Sequence, residues 1–470
     1  MLSYKRGFTA LPIVLVFGCS LHQVQEQVAP PEFTPETYSE SGKVPVPERW
    51  WTVFEDAELN DLTGQALAGN LDLAAAWARL QQFDALARQA GAARLPSVNG
   101  SVLASRGRSL GFAGTQESNF FDLGVDAGYE IDLFKKISAT SQASLLDYQA
   151  SRQDLESIGF AISGGVARSW FGLVEQRQQL ALLAEQVEVN EKFLEVIETR
   201  FTNGAASAVD VFQQREQLAS IRSQIPRAQA SLALFEHQLA VLTGKAPKTP
   251  SPSQRQTLPE LPALPTTGVP ADLLVNRPDV RARMLRLMAA DFRLGAAIAN
   301  RYPSLRLSAS TGFQANKVGD LFSNWVWNLA SSLMGPIFDG GRLKAEVDRN
   351  QGVLAERLAG FEATVLDAMR EVEDALVLEH HQHELIERLQ EQLNLARKAH
   401  EAGQARYLRG VGSFLILLTE TQAVQRVERA LLSARLALVS YRIDLYLALG
   451  GTWTGELQKA EMTFTEEQTR

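Results

Sequence analysis

FFDLGVDAGYEIDLF, residues 120–134, is the stretch on which the fold of this chain turns. From Phe121 to Leu133 every odd position is Phe, Leu, Val, Ala, Tyr or Ile, and every even one is Asp, Gly or Glu. A period of two means an extended strand whose side chains point to opposite faces. A strand half-buried in a soluble core needs only about 5–6 residues. This pattern runs past a dozen, enough for a tilted strand to cross a bilayer, for which ~9–11 residues suffice. A transmembrane barrel puts apolar residues toward lipid and polar ones toward the lumen. On that reading Asp122, Asp126, Glu130 and Asp132 face the lumen. One long edge strand of a sandwich satisfies the same alternation, so the rest of the chain has to decide.

The chain has 470 residues and a formal net charge of −8, with a mean hydropathy of −0.11. Acidic balance provides no basic footprint, so nucleic acid is not an expected partner. Beyond the extreme N-terminus no window holds the ~20 apolar residues of a membrane-spanning helix. If this chain sits in a membrane it does so as a barrel, because only helices and closed barrels satisfy their backbone there.

The first twenty residues, MLSYKRGFTALPIVLVFGCS, carry Lys5 and Arg6, then an apolar run over 11–17, then Gly18 and Cys19. That layout predicts a signal peptide over residues 1–18. Cys19 is the sole cysteine, so no intrachain disulfide can form. A single Cys directly after a signal peptide resembles a bacterial lipoprotein site, with Val16, Gly18 and Cys19 in the usual places and Phe17 where a smaller residue is usual. The resemblance implies a covalent lipid at Cys19 and no other cofactor, and Ser20 resembles the signal for outer-membrane sorting.

The chain also repeats itself at an offset of about 206 residues. Asn70 falls on Asn276, Leu180 on Ile386, Leu183 on Leu389 and Val187 on Leu393. Arg200-Phe201 falls on Arg406-Tyr407, Gly204 on Gly410 and Ser207 on Ser413. With a slip of one residue LPSV (95–98) falls on YPSL (302–305), and LTG (242–244) on LGG (449–451). The expected organisation is a first repeat over 19–270, with its N-terminal segment and a Pro-rich linker at 247–265, a second over 271–450, and a tail over 451–470.

Each repeat has two strand candidates, at 98–112 and 120–134 and again at 305–315 and 325–337. Phe120, Phe121, Trp325 and Trp327 sit at strand starts, where barrels carry aromatic girdles. After each strand pair the chain turns helical. No proline occurs between 138 and 201, and Leu173, Leu180, Val187, Leu194 and Phe201 fall seven apart, with Leu183 and Ile197 on the neighbouring seam. Some 60 residues at 1.5 Å each make a helix roughly 90–100 Å long. The pattern recurs from 342 to 407, and each long helix ends in a glycine turn followed by a returning helix, the first of which contains Pro226. Such polar helices bury only a narrow stripe, so they must pack along one another. The fold class expected is an α+β membrane protein. Four strands per chain are too few to close a barrel, for which about eight is the lower limit, so several chains must share one.

These features together resemble the TolC-type outer membrane efflux proteins, in the lipoprotein branch that partners resistance-nodulation-division (RND) pumps (OprM/NodT-like). The matching residues are Trp50-Trp51 with Leu59 and Leu62, YEIDLF (129–134), NRPDV (276–280), GPIFDGGRL (335–343), VEDAL (372–376), the paired R[FY]xxGxxS turns and LGGTW (449–453). The resemblance implies a homotrimer with a twelve-stranded barrel, continued by a periplasmic helical barrel and anchored among outer membrane lipid. It implies passive export of drugs or other small solutes delivered by an RND transporter through a periplasmic adaptor.

In that family the periplasmic end closes at an apolar ring followed by an acid and a base. Aligned on Gly410, the apolar position is Leu415, while the acid falls on Thr419 and the base on Gln422, with Glu420 the nearest carboxylate. The resemblance therefore assigns the gate to Leu415, Thr419 and Gln422, without the ionic pair. It assigns adaptor contact to Arg200, Gly204, Ser207, Arg406, Gly410 and Ser413; both glycines also suit the left-handed position that ends a helix.

EHHQHE (379–384) invites a metal reading but lacks the HExxH spacing, and a solvated helix face is expected. SRGRSLGFAGT (105–115) lacks the Lys-Ser/Thr of a phosphate loop and is expected to be a loop at a barrel mouth. No catalytic constellation can be placed, so an enzyme is not expected. The rival readings are a type I protein-secretion outlet and a structural coiled-coil lipoprotein.

Overall fold

The computed structural model describes residues 22–23, 29–111, 114–247 and 255–457. In chain order the main elements are α1 (Ala57–Gly69), α2 (Leu71–Ala92), β1 (Ser97–Gly111), β2 (Gly114–Ile131), α3 (Lys136–Thr202) and α4 (Ala208–Leu242). The second half follows with α5 (Leu273–Asn276), α6 (Pro278–Ala299), β3 (Ser304–Ala315), β4 (Trp325–Met334), α7 (Arg342–Leu408) and α8 (Phe414–Leu449). The duplication is therefore structural: strand pair, 67-residue helix, glycine turn and returning helix occur twice. At 1.5 Å per residue each long helix is about 100 Å long. Among the described residues no helix is long and apolar enough to cross a membrane.

Two compact units form, and each draws on both repeats. Of the described residues, the first comprises those within 22–29, 80–151 and 282–361, and holds all four strands. The strands form one antiparallel sheet in the order β1-β2-β3-β4, so β2 of the first repeat pairs directly with β3 of the second. Pro96 and Pro303, which have no N–H to give a ladder, stand just before β1 and β3. β1 runs on to Gly111, so most of the segment expected to be a loop at 105–115 is strand, held by Arg106 donating to Glu117 at 2.7 Å. The helical part of this unit packs Ala143 and Leu146 of α3 against Ala289 of α6, and Val347 of α7 against Leu294 and Ala297.

Strand β2 ends at Ile131, two residues short of the last alternating position. Asp132 leaves the ladder and accepts from the backbone N–H of Ile137 at 2.9 Å and Ser138 at 2.7 Å. Asp339 does the same before α7, accepting from Gly341 at 3.0 Å and Leu343 at 2.9 Å. Both carboxylates satisfy the orphan amides of a helix start. Asp132 therefore starts α3 and is not part of the strand's polar face, contrary to the parity expectation. β4 likewise stops at Met334, before Gly335-Pro336, rather than reaching residue 337.

Of the described residues, the second unit comprises those within 30–79, 152–281 and 362–457. Its core gathers aromatic rings from distant parts of the chain. Trp50 stacks on Tyr446 with centroids 6.0 Å apart, Trp51 meets Trp453 edge-on at 4.8 Å, and Phe54 meets Phe171 at 4.9 Å. Trp50 and Trp170 bury their rings fully, and their indole N–H groups donate to Ser163 and Asp56. Two of the motifs that carried the family resemblance, NRPDV and LGGTW, meet here. Gly451 N donates to Asn276 O at 2.9 Å, and Arg277 donates to Glu371 at 2.6 Å and to Ala448 O at 3.2 Å. Gly450 has φ +76°, and a Cβ there would lie 2.5 Å from Asn276 O, so glycine is required twice over.

Candidate functional site: a two-faced sheet and a paired helical tip

Residues directly opposite in an antiparallel ladder share a face, so the register assigns every side chain of the sheet. One face carries Phe121, Leu123, Val125, Ala127, Tyr129 and Ile131, paired with Ala315, Phe313, Thr311, Ala309, Leu307 and Leu305 of β3. Beyond Phe313 and Ala309 come Trp325 and Leu329 of β4, and on the other side Val98 and Val102 of β1. Much of this face stands open: Val102, Trp325, Trp327, Leu329 and Leu333 are each more than 60% exposed, whereas Phe121, Leu123, Tyr129 and Ile131 are half-buried and Ala315 is buried. Its apolar part runs from Phe121 to Ile131, eleven positions long, which matches the ~9–11 residues of a membrane-crossing strand. Past Phe121 the same face turns polar, with Asn119, Arg106, Glu117 and Arg108.

The opposite face is mainly polar, through side-chain pairs, with Leu103, Val326 and Met334 among its apolar members. Asp126 accepts from Asn99 at 3.1 Å, and Asp122 from Gln314 at 3.0 Å. Glu130 binds Lys136 and accepts from Arg306 at 3.4 Å. Ser308, Ser310, Asn328 and Ser332 continue the face. Three of the four carboxylates read from the alternation thus share one face, and Asp132 stands apart. β1 and β4 have no partner on their outer edges among the described residues.

The two glycine turns are built alike. Gly204 has φ +72° and Gly410 φ +78°. In the first, Gly204 N donates to Phe201 O at 2.9 Å and Ala205 N to Arg200 O at 2.7 Å; in the second, Gly410 N donates to Tyr407 O at 3.0 Å and Val411 N to Arg406 O at 3.1 Å. These are the doubled bonds of a helix that ends on a left-handed residue. The returning helices start at serines. Ser207 and Asp210 exchange hydrogen bonds as a full capping box, whereas Ser413 accepts only from Leu415 N, at 3.3 Å. The two tips share one core of Ile197, Val211, Tyr407, Phe414, Leu417 and Leu418, and the Arg200 guanidinium lies 4.6 Å over the Tyr407 ring.

Of the gate residues, Leu415 is 55% exposed beside the equally open Ile416. Thr419 donates to the backbone of its own helix, at Leu415 O, and Gln422 donates to Gln217 Oε1 at 2.8 Å. Gln422 therefore belongs to an amide network that sequence reading passed over. Gln217 donates to Gln425, Gln214 to Asn190, and Gln186 to Gln425 O, joining α3 and α4 to α8. Asn190 is fully buried. The signal was present: Asn190 stands on the heptad seam between Leu183 and Ile197, where an apolar residue is the rule. Cys19 lies outside the described residues.

The family model for the outer membrane efflux protein matches residues 62–245 and 269–451, one segment per repeat. The chain belongs to the outer membrane efflux protein family. Among its relatives, the pyoverdine export outer membrane protein OpmQ of Pseudomonas aeruginosa is 33% identical over 87% of this chain and 88% of that protein. The toluene efflux pump outer membrane protein TtgF of Pseudomonas putida is 30% identical, covering 86% and 85%. Among solved structures, the outer-membrane channel OprN superposes with a TM-score of 0.84 at 27% identity, covering 91% of this chain and 99% of that one. As a member of this family the protein is an outer membrane channel for efflux, and its sheet and long helices are the family's channel fold.

Proposed function

We propose that this outer membrane efflux protein acts as a homotrimer, the passive exit duct of a tripartite pump that receives small solutes from an RND transporter through a periplasmic adaptor. The observation that carries the reading is the four-stranded sheet with one exposed apolar face, one polar face and two open edges. An unpaired edge in lipid costs several kcal/mol per group, and four strands fall short of the ~8 a barrel needs. Three chains, pairing β1 of one with β4 of the next, make twelve strands without an edge. Asp122, Asp126 and Glu130 then line the lumen, and a covalent lipid at Cys19 supplies a second hold on the membrane. The glycine turns, with Arg200, Ser207, Arg406 and Ser413, form the surface offered to the adaptor, and Leu415 narrows the duct there. Relatives are named for cargoes as different as pyoverdine and toluene, which supports a reading in which selectivity resides in the pump and small solutes as a class are the cargo.

Single cysteines along β2, labelled in native membranes, test the sheet assignment. Positions 122, 126 and 130 react with aqueous thiol reagents, and 123, 125 and 127 are shielded. The opposite pattern, or a chain that cross-links only as a monomer in detergent, overturns the proposal.

A further inference from the structure

Half of the chain's six histidines stand within four residues of α7, in EHHQHE. The sequence invited a metal reading but favoured a solvated helix face. The structure supplies two reasons for the metal reading. His380, His381 and Glu384 each offer a donor atom, and the three donors lie within 4.8 Å of one another. His381 Nδ1 is 3.0 Å from one Glu384 oxygen and His380 Nε2 is 3.8 Å from the other. Ligands at ~2.0–2.2 Å around a tetrahedral ion stand about 3.4 Å apart, a separation these two distances bracket.

The second reason comes from outside the helix. Glu40 reaches His380 from a segment more than 300 residues away in sequence, with its carboxylate 4.0 Å from Nδ1, the nitrogen that does not face Glu384. That segment is pinned on both sides of Glu40. Ser39 N donates to Glu373 at 2.9 Å, Thr267 donates to Glu40 O at 3.2 Å, and Gly42 N donates to Pro265 O at 3.0 Å. At 4.0 Å the approach of Glu40 to His380 is an ion-pair distance and not a hydrogen bond, and the carboxylate's charge favours the proton on Nδ1, which leaves the Nε2 lone pair, on the Glu384 side, for a metal. His383 is not part of the group: it turns toward Glu379, which is committed to the buried Arg442.

We propose that His380, His381 and Glu384 bind one divalent transition-metal ion, with Glu40 positioning the His380 ring. Two imidazoles and one carboxylate suit zinc, nickel or copper(II) and not magnesium or calcium, which take oxygen ligands. The exposure of all four side chains leaves the ion's remaining positions to water. Through Glu40 a bound ion clips the N-terminal segment to α7.

The experiment is a zinc titration of the untagged full-length protein in detergent, stripped of metal beforehand and followed by calorimetry. One saturable site per chain is expected. His381→Ala and Glu384→Gln each weaken it at least tenfold, and Glu40→Gln weakens it about tenfold. His383→Ala leaves it unchanged. All of these positions are exposed, so helix content by circular dichroism stays constant across the set. Absence of a saturable site, or equal losses in His383→Ala and His381→Ala, overturns the site. An unchanged affinity in Glu40→Gln with losses elsewhere overturns the positioning role of Glu40.

Discussion

The two glycine turns of this chain share a backbone and differ in what their side chains do. At equivalent positions, Tyr407 is 5% exposed and Phe201 45%, while Leu418 is 6% exposed and Phe212 66%. Phe414, in the shared core, stands where the first tip has Ala208. The second tip therefore supplies most of the apolar core at this end of the second unit. The first keeps Phe201, Val209 and Phe212 open and instead has the stronger polar cap, the Ser207–Asp210 box. Duplication conserved the bonds that any helix ending of this kind must make. It left free the choice of which copy is buried.

The sharpest way to break this comparison is to shorten one aromatic in each tip. Phe414→Ala is expected to lower the local stability of the tip by about 3–5 kcal/mol. Phe212→Ala, which removes an exposed ring, should stay within about 0.5 kcal/mol. Amide hydrogen exchange across 193–216 and 404–426 reads both, and equal losses would refute the division into core and surface. Next in size are the glycines. Nothing stands within 4 Å of a Cβ built at Gly204 or Gly410, so alanine costs only the left-handed conformation, about 1–2 kcal/mol, and should cost it equally in both. Unequal costs would mean that the two backbones are not equivalent in solution. The caps are smaller. Ser207→Ala should cost about 1 kcal/mol and Ser413→Ala about half of that, measured as protection of Asp210 and Leu415 amides.

The smallest effect is one of pH. His400 on α7 lies 3.1 Å from Thr421 Oγ1 and against the Phe193 ring, and burial holds its pKa below the usual value, opposed by Glu401 and Glu420. A base whose folded pKa is depressed binds its proton more readily when unfolded. Tip stability should therefore be level above about pH 6.5 and fall as the pH drops below it. His400→Gln should flatten that fall, and exchange at pH 7.5 and 5.5 distinguishes the two. A fall that persists in the variant would assign it to carboxylates instead.

Much of this was legible in the residues because it depends on near neighbours. Alternation over 121–131 assigns two faces to a strand whatever that strand pairs with. Gly204 and Gly410 announce helix ends because only glycine takes that φ without strain. Parity failed at Asp132 because one competing demand, the open amides of a 67-residue helix, took the carboxylate out of the ladder. Asn190 escaped notice because a buried amide is recognisable only with its partners, and Gln214 lies on the neighbouring helix.

What the sequence determined by itself is periodicity: which residues share a face of a strand, which share a stripe of a helix, and that the whole scheme occurs twice. Tertiary structure alone decided which copy of the tip is buried, that Asn276 meets Gly451 and Trp51 meets Trp453, and that Glu40 stands beside His380. Periodic patterns arise from backbone geometry over a few residues and survive in one dimension. Contacts between segments hundreds of residues apart depend on how whole elements pack, and no local pattern records that.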